Sequence, residues 1–287
     1  MFIAHCSLLV ELMILIRCAA IAIAFCGTVS PAVAFASPTT IVAQSTAEDF
    51  FRDGISKVEQ RDYRGAIAAF SRAIEADPEF TIAYYNRANL YYAIEEYEAA
   101  LEDYDRALEL EPEYVSAYIN RGNLRSLLGD IEGSIADYNE ALRIANENDS
   151  IAVDPQVYYN RALSYADLRD WDSAIDDYTQ TIALDDSFIP AYLNRSLAYL
   201  NRGLVLSQND RRDSAENNYE AAIADATHVI EIVPEAAEAY GNRGLANAYL
   251  GNTEAAISDL EIAAELFESS GRLDAAREVI EWIDRLQ

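Results

Sequence analysis

Apolar positions recur between residues 47 and 270 with the spacing of short amphipathic helices, and the pattern repeats in register with itself. Rows of 34 residues can be started at 47, 81, 115, 155, 189 and 237. Position 8 of every row is then small: Gly54, Ala88, Gly122, Ala162, Ser196 and Gly244. Position 20 is small as well: Ala66, Ala100, Ser134, Ala174, Ala222 and Ala256. Two helices of a hairpin cross closely only where side chains are small, because a larger group pushes the backbones apart. Large apolar groups recur at position 4 (Phe50, Tyr84, Tyr118, Tyr158, Tyr192, Tyr240) and at position 24 (Phe70, Tyr104, Tyr138, Tyr178, Leu260). Pro78, Pro112 and Pro234 close second helices, since proline cannot continue the helical hydrogen bonds. Each row therefore predicts two antiparallel helices, and the period replaces chain length as the guide to organisation.

This pattern resembles the tetratricopeptide repeat family over residues 47–270. The resemblance implies an all-α fold, a right-handed superhelical solenoid of six hairpins whose first helices line a concave groove. The repeats would be 47–80, 81–114, 115–148, 155–188, 189–236 and 237–270. Rows three, four and six depart from the family pattern at the terminal proline, carrying Asn146, Asp186 and Glu268 instead. Beyond the last row, Leu273, Ala276, Ile280, Ile283 and Leu286 share one helical face, so residues 271–287 are expected to form a capping helix over row six. Trp171 and Trp282 read as packing residues rather than cofactor contacts.

Two insertions interrupt the period. Six extra residues within Asn146–Asp154 predict a polar loop that ends in a helix-starting Asp154 before Pro155. Row five gains 14 residues around Asn201 to Asn217, and Leu197, Leu200 and Leu204 continue its first-helix stripe. Seven residues added to each helix would lengthen the hairpin by about 10 Å. Arg202, Arg211 and Arg212 gather there, so both a partner contact and a plain elongation fit.

Rows two to six share Asn-Arg-small at positions 6 to 8, and the same five rows carry aspartate at position 23: Asp103, Asp137, Asp177, Asp225 and Asp259. Row one lacks both, with Asp53 and Ala69 at the two places. Presence and absence travel together, which predicts an Arg–Asp pair within or between hairpins, since a guanidinium holds a carboxylate through two hydrogen bonds. The asparagines are Asn86, Asn120, Asn160, Asn194 and Asn242. A side-chain amide both donates and accepts, so a ladder of amides can hold a peptide backbone with little regard to its side chains. These positions are similar to those that bind substrate backbone in the superhelix of O-linked N-acetylglucosamine transferase, and that likeness makes them candidate peptide-binding residues. The competing reading has each asparagine bonding a neighbouring helix. A grip on a C-terminal carboxylate, as in chaperone-associated repeats, needs groove lysines. Asn89 and Asn123 are present at position 9, but the only lysine of the chain is Lys57 in row one.

Residues 13–36 change the picture of where the protein works. Arg17, an apolar run from Cys18 to Val29, and Ala34-Phe35-Ala36 are the three parts of a secretory signal. Cleavage after Ala36 is expected, so that 1–36 is removed, with Met13 as an alternative start and 37–46 as a polar tail. An uncleaved anchor is the competing reading, because Phe2–Val10 would lengthen a core short of the roughly 20 residues of a span. All three cysteines, Cys6, Cys18 and Cys26, fall in this segment, leaving a mature chain with no thiol and one histidine, His228. With that segment removed, a disulfide framework, a Cys/His zinc site and a cysteine nucleophile would all be impossible.

The net charge of −28 suits a soluble surface and repels nucleic acid and anionic lipid. The chain has no glycine-rich phosphate loop, nucleophile motif or metal-ligand spacing, and its carboxylates lie on solvent faces at helical spacing. The expectation is a non-catalytic protein–protein interaction scaffold, without cofactor or metal, exported to a periplasm, lumen or extracellular space. Its partner would be a peptide or protein. The alternatives are a self-associating structural module and, behind it, an enzyme accessory subunit.

Overall fold

The computed structural model describes residues 41–148 and 153–287, with side chains from Ala47 onward. The signal segment, Met13 and the cysteines lie outside the described residues. Regular structure among the described residues is helical throughout. It forms two compact units, one ending at Ser164 and one beginning at Tyr165.

In the first unit, α1 (Ile41–Glu59) pairs with α2 (Tyr63–Ala76), α3 (Thr81–Ala93) with α4 (Tyr97–Leu110), and α5 (Val115–Leu127) with α6 (Ile131–Glu147). The first helix of row four, α7 (Pro155–Asp167), spans the boundary. The small residues of position 8 sit under the large ones of position 24. A Cβ built on Gly122 would lie 2.9 Å from the Tyr138 ring, and one on Gly54 would collide with Phe70. Tyr104, Tyr138 and Phe70 are fully buried. Aspartates start the second helices: Asp62 and Asp130 accept from the backbone N–H of Gly65 and Gly133 at 3.0 and 3.1 Å, satisfying donors that a helix start leaves open. Asp154 caps α7 as expected, accepting from the Gln156 N–H at 2.9 Å.

The second unit contains α8 (Trp171–Leu184), then α9 (Ile189–Gln208) with α10 (Arg212–Ile232), α11 (Ala237–Leu250) with α12 (Thr253–Ser269), and α13 (Leu273–Leu286). Helix α9 is seven residues longer than α3, and α10 seven longer than α4. The added length repeats the packing of an ordinary row. Asn201-Arg202-Gly203 follows Asn194-Arg195-Ser196 by seven residues. A Cβ on Gly203 would lie 2.5 Å from the Tyr219 ring, the same small-under-aromatic contact as Gly122 and Tyr138. Tyr219 stacks on Tyr249 at 5.2 Å, and Tyr249 meets the Trp282 edge at 6.1 Å. The extension is thus a second packed layer.

Hairpin turns share one backbone device. The residue two places before each second helix is left-handed: Arg61, Glu95 and Gly129 in the first unit, and Arg169, Asp210 and Gly251 in the second, with φ between 57° and 83°.

Three expectations change. Helix α1 begins at Ile41, inside the segment read as a polar tail, because nothing after Pro38 breaks a helix. Helix α6 runs three residues longer than α4, with Ile144 and Ala145 buried, so part of the first insertion is helix rather than loop. The buried face of α13 is Ala275, Ala276, Val279, Trp282 and Ile283, while Leu273 and Ile280 are exposed. Turning the helix this way buries the large Trp282 against Tyr249, which outweighs burial of the smaller leucine.

Candidate functional site

The first helices are pinned by the predicted ion pairs. Arg87 Nε and Nη2 donate to both oxygens of Asp103 at 2.7 Å. Arg121 does the same to Asp137 at 2.9 and 2.5 Å. In the second unit Arg195 holds Asp225 at 2.7 Å and Arg243 holds Asp259 at 2.8 Å. The remaining Nη1 reaches the second helix of the preceding row: Ser71 from Arg87, Asp105 from Arg121, Asn139 from Arg161, Thr179 from Arg195 and Thr227 from Arg243, at 2.5–3.3 Å. Each of these acceptors occupies position 25 of its row. One arginine therefore ties its own hairpin together and also fastens it to the one before. The guanidinium also lies over the row's position-4 ring, 5.5 Å away for Arg121 on Tyr118 and Arg243 on Tyr240.

With the arginines turned toward the second helices, the other face of the first helices is left to the asparagines. In the first unit α3 touches α5 directly. Asn120 Nδ2 donates to Asn89 Oδ1 at 2.9 Å and to the Tyr85 hydroxyl at 3.0 Å. The Tyr104 hydroxyl donates to the same Asn89 oxygen at 2.6 Å. The next junction repeats this: Asn160 Nδ2 and the Tyr138 hydroxyl both donate to Asn123 Oδ1 at 2.8 Å, and Gln156 donates to Asn160 Oδ1 at 2.7 Å. Burial pushes the Tyr104 and Tyr138 phenols far above their ordinary range, so both remain donors.

Two donors on one oxygen fix the orientation of an amide. The Nδ2 groups of Asn89 and Asn123 meet no acceptor among the described residues, and they are not buried. They therefore face solvent as oriented donors, one per row. Asn86 and Asn242 bond differently because the preceding rows carry Ile55 and Leu197 at position 9. Asn86 donates to Ile82 O in its own helix at 2.7 Å, and Asn242, 3% exposed, donates to Leu193 O at 3.3 Å. Asn194 is half-buried in α9. The structure thus brings Asn120 and Asn160 into two matching clusters, and it adds Asn89 and Asn123, whose sequence positions suggest only a carboxylate grip. Their signal was the run Asn89–Asn120 and Asn123–Asn160 in consecutive rows.

Among the described residues, no group of three or more His, Cys, Asp or Glu is arranged to hold a metal ion, and no helix is long and apolar enough to cross a membrane.

Comparison with known proteins agrees with this geometry. Family models described as tetratricopeptide repeat match residues 51–110, 85–149, 200–270 and 156–185. Serine/threonine-protein phosphatase T of Aspergillus oryzae is 32% identical over 96 residues, 33% of this chain and 17% of that protein. Human serine/threonine-protein phosphatase 5 is 33% identical over 106 residues, 37% of this chain and 18% of that protein. The chain thus spans less than a fifth of the length of these relatives. Among solved structures, YrrB, a tetratricopeptide repeat protein with an unusual peptide-binding site, aligns with a TM-score of 0.61 at 24% identity, covering 74% of this chain and 98% of its own. PilW, a type IV pilus biogenesis factor, aligns at 0.55 and 18% identity, covering 82% and 98%. MamA aligns at 0.54 and 24% identity, covering 65% and 95%. These three likenesses are of fold. The repeat models together match more than half of the sequence, and the chain belongs to the tetratricopeptide repeat family.

Proposed function

We propose that this chain is a non-catalytic scaffold that holds an extended segment of a partner protein against its first-helix face, working in an exported compartment. The observation that carries this is the pair of half-exposed amides of Asn89 and Asn123, each oriented by two donors on its oxygen. An N–H₂ held outward at one place per row donates to backbone carbonyls whatever side chains the segment carries. The peptide-binding site named for YrrB supports a peptide as the class of ligand. In this reading Asn120 and Asn160 orient the donors. The phosphatases are matched over less than a fifth of their length, so the shared region supports a repeat module rather than their activity. The signal-like segment of residues 13–36 supports export, with assembly of an exported complex as the process served.

The test is affinity capture from the exported compartment with residues 37–287, against the same chain carrying Asn89→Ala and Asn123→Ala. Capture lost with helicity kept is the expected result; undiminished capture by the double variant overturns the site. Export is checked by fractionation of the full-length chain bearing a C-terminal tag. The expected product lacks residues 1–36, and a full-length product in the cytoplasm overturns that part.

A further inference from the structure

The first-helix face of the first unit has an unusual charge pattern for so acidic a molecule. The chain carries 49 acidic and 21 basic residues. Yet positions 2, 5, 6 and 9 of α3, α5 and α7 hold no charged side chain in any row, and position 12 of α3 and α5 is uncharged too. The lane they form is half-exposed, with Tyr85, Asn89, Asn120, Asn123, Ser126 and Gln156 along it. The neighbouring arginines are neutralised away from it: Arg87 on Asp103, Arg121 on Asp137, and Arg125 on Asp137 at 2.9 Å. Charge returns at the helix ends, where Glu79 and Glu113 precede α3 and α5 and where Glu95 and Glu96 follow α3, and in row one, where α1 has Glu48 and Arg52 at positions 2 and 6, all exposed.

We infer that this lane selects an extended segment that is itself uncharged where it meets α3, α5 and α7, which rests on the peptide-scaffold reading above. A charged side chain laid on the lane loses hydration and finds no counter-ion there. An acidic segment is also repelled by the glutamates at both ends. An uncharged backbone loses little, because Asn89 and Asn123 replace the water on its carbonyls. First helices packed about 10 Å apart match one turn of a polyproline II segment, three residues at about 3.1 Å each, so every third carbonyl faces the same way and one comes level with each donor. The association should therefore be insensitive to salt.

Residues 37–287 are titrated with three synthetic peptide pools, one uncharged (Ser, Thr, Asn, Gln, Gly, Ala, Leu, Tyr), one lysine-rich and one rich in Asp and Glu, at low and high sodium chloride. The uncharged pool is expected to yield the binders, with affinity changing less than about twofold across the salt range. The decisive variant is Asn89→Asp with Asn123→Asp. It keeps the oxygen that accepts from Tyr104 and Tyr138, so helicity is retained, but it replaces the donor with a negative charge. Binding of the uncharged pool should fall by about tenfold or more, and the lysine-rich pool should gain salt-sensitive binding. If the wild-type chain instead binds the lysine-rich or acidic pool best, with salt releasing it, the neutral lane is wrong and the scaffold reading stands. If no pool binds, and capture from the exported compartment also fails, both readings fall.

Discussion

Arg121 lays two nitrogens across both carboxylate oxygens of Asp137, which is 2% exposed and also accepts from Arg125 at 2.9 Å. Removing the carboxylate takes the shared, buried counter-charge from two guanidinium groups, leaving Arg121 with the exposed Asp105 and Arg125 with Asp130 at 3.7 Å. The expected cost of Asp137→Ala is about 3–5 kcal/mol. The exposed pair of Arg52 with Asp49, 3.1 Å apart, provides the contrast: Asp49→Ala should cost less than about 0.5 kcal/mol. Urea unfolding of both variants reads the difference, and equal losses would mean that the clasp does not organise the hairpins.

The left-handed turn residue predicts changes of opposite sign. Glu95 adopts φ 64° at the place where Gly129 adopts 83° in the next row. A side chain in that region costs about 1 kcal/mol or more. Glu95→Gly should raise the melting temperature and Gly129→Ala should lower it, each by an amount corresponding to about 1 kcal/mol.

Two glycines that look alike in the sequence should also part company. Gly203→Ala places a methyl 2.5 Å from the Tyr219 ring, so a loss of about 1–3 kcal/mol is expected. A Cβ on Gly241, inside α11, meets no atom within 4 Å. Gly241→Ala should therefore stabilise by about 0.5–1 kcal/mol through helix propensity alone. Thermal unfolding distinguishes the two.

Alkaline pH should unfold the chain through its buried phenols. Burial pushes Tyr219 up to about 12 and Tyr104, Tyr114 and Tyr138 higher still. An unfolded tyrosine releases its proton near pH 10, about two units below folded Tyr219. Above pH 10 the unfolded state binds fewer protons, so stability is complete below that pH and falls as pH rises toward and through about 12. Phenolate absorbance and far-ultraviolet circular dichroism measured together should show the buried phenols ionising as helicity is lost.

The pairing of Arg121 with Asp137 was legible because row one lacks both partners, so one chain contains its own control. The third contact of the same arginines was not. Any acceptor serves at position 25, and Ser71, Asp105, Asn139, Thr179 and Thr227 share no identity a pattern could reveal. The asparagines were found, but their bonds run to the preceding row, and only its position-9 residue decides whether Asn120 braces an amide or Asn86 turns to its own backbone. The lengths of α9 and α10 followed from counting residues. The second Asn-Arg-small set at Asn201 was written in the same stretch, hidden because a seven-residue shift does not fit a 34-residue ruler.

That shift sets how such a hairpin can grow. Seven residues fall only about 20° short of two full helical turns, so the added layer presents the same face as the layer beneath it. An insertion of six or eight residues would swing that face by about 100° and set Gly203 away from Tyr219. Lengthening is thus quantised, and a hairpin of this protein that reaches further must do so by whole storeys, matched in both of its helices.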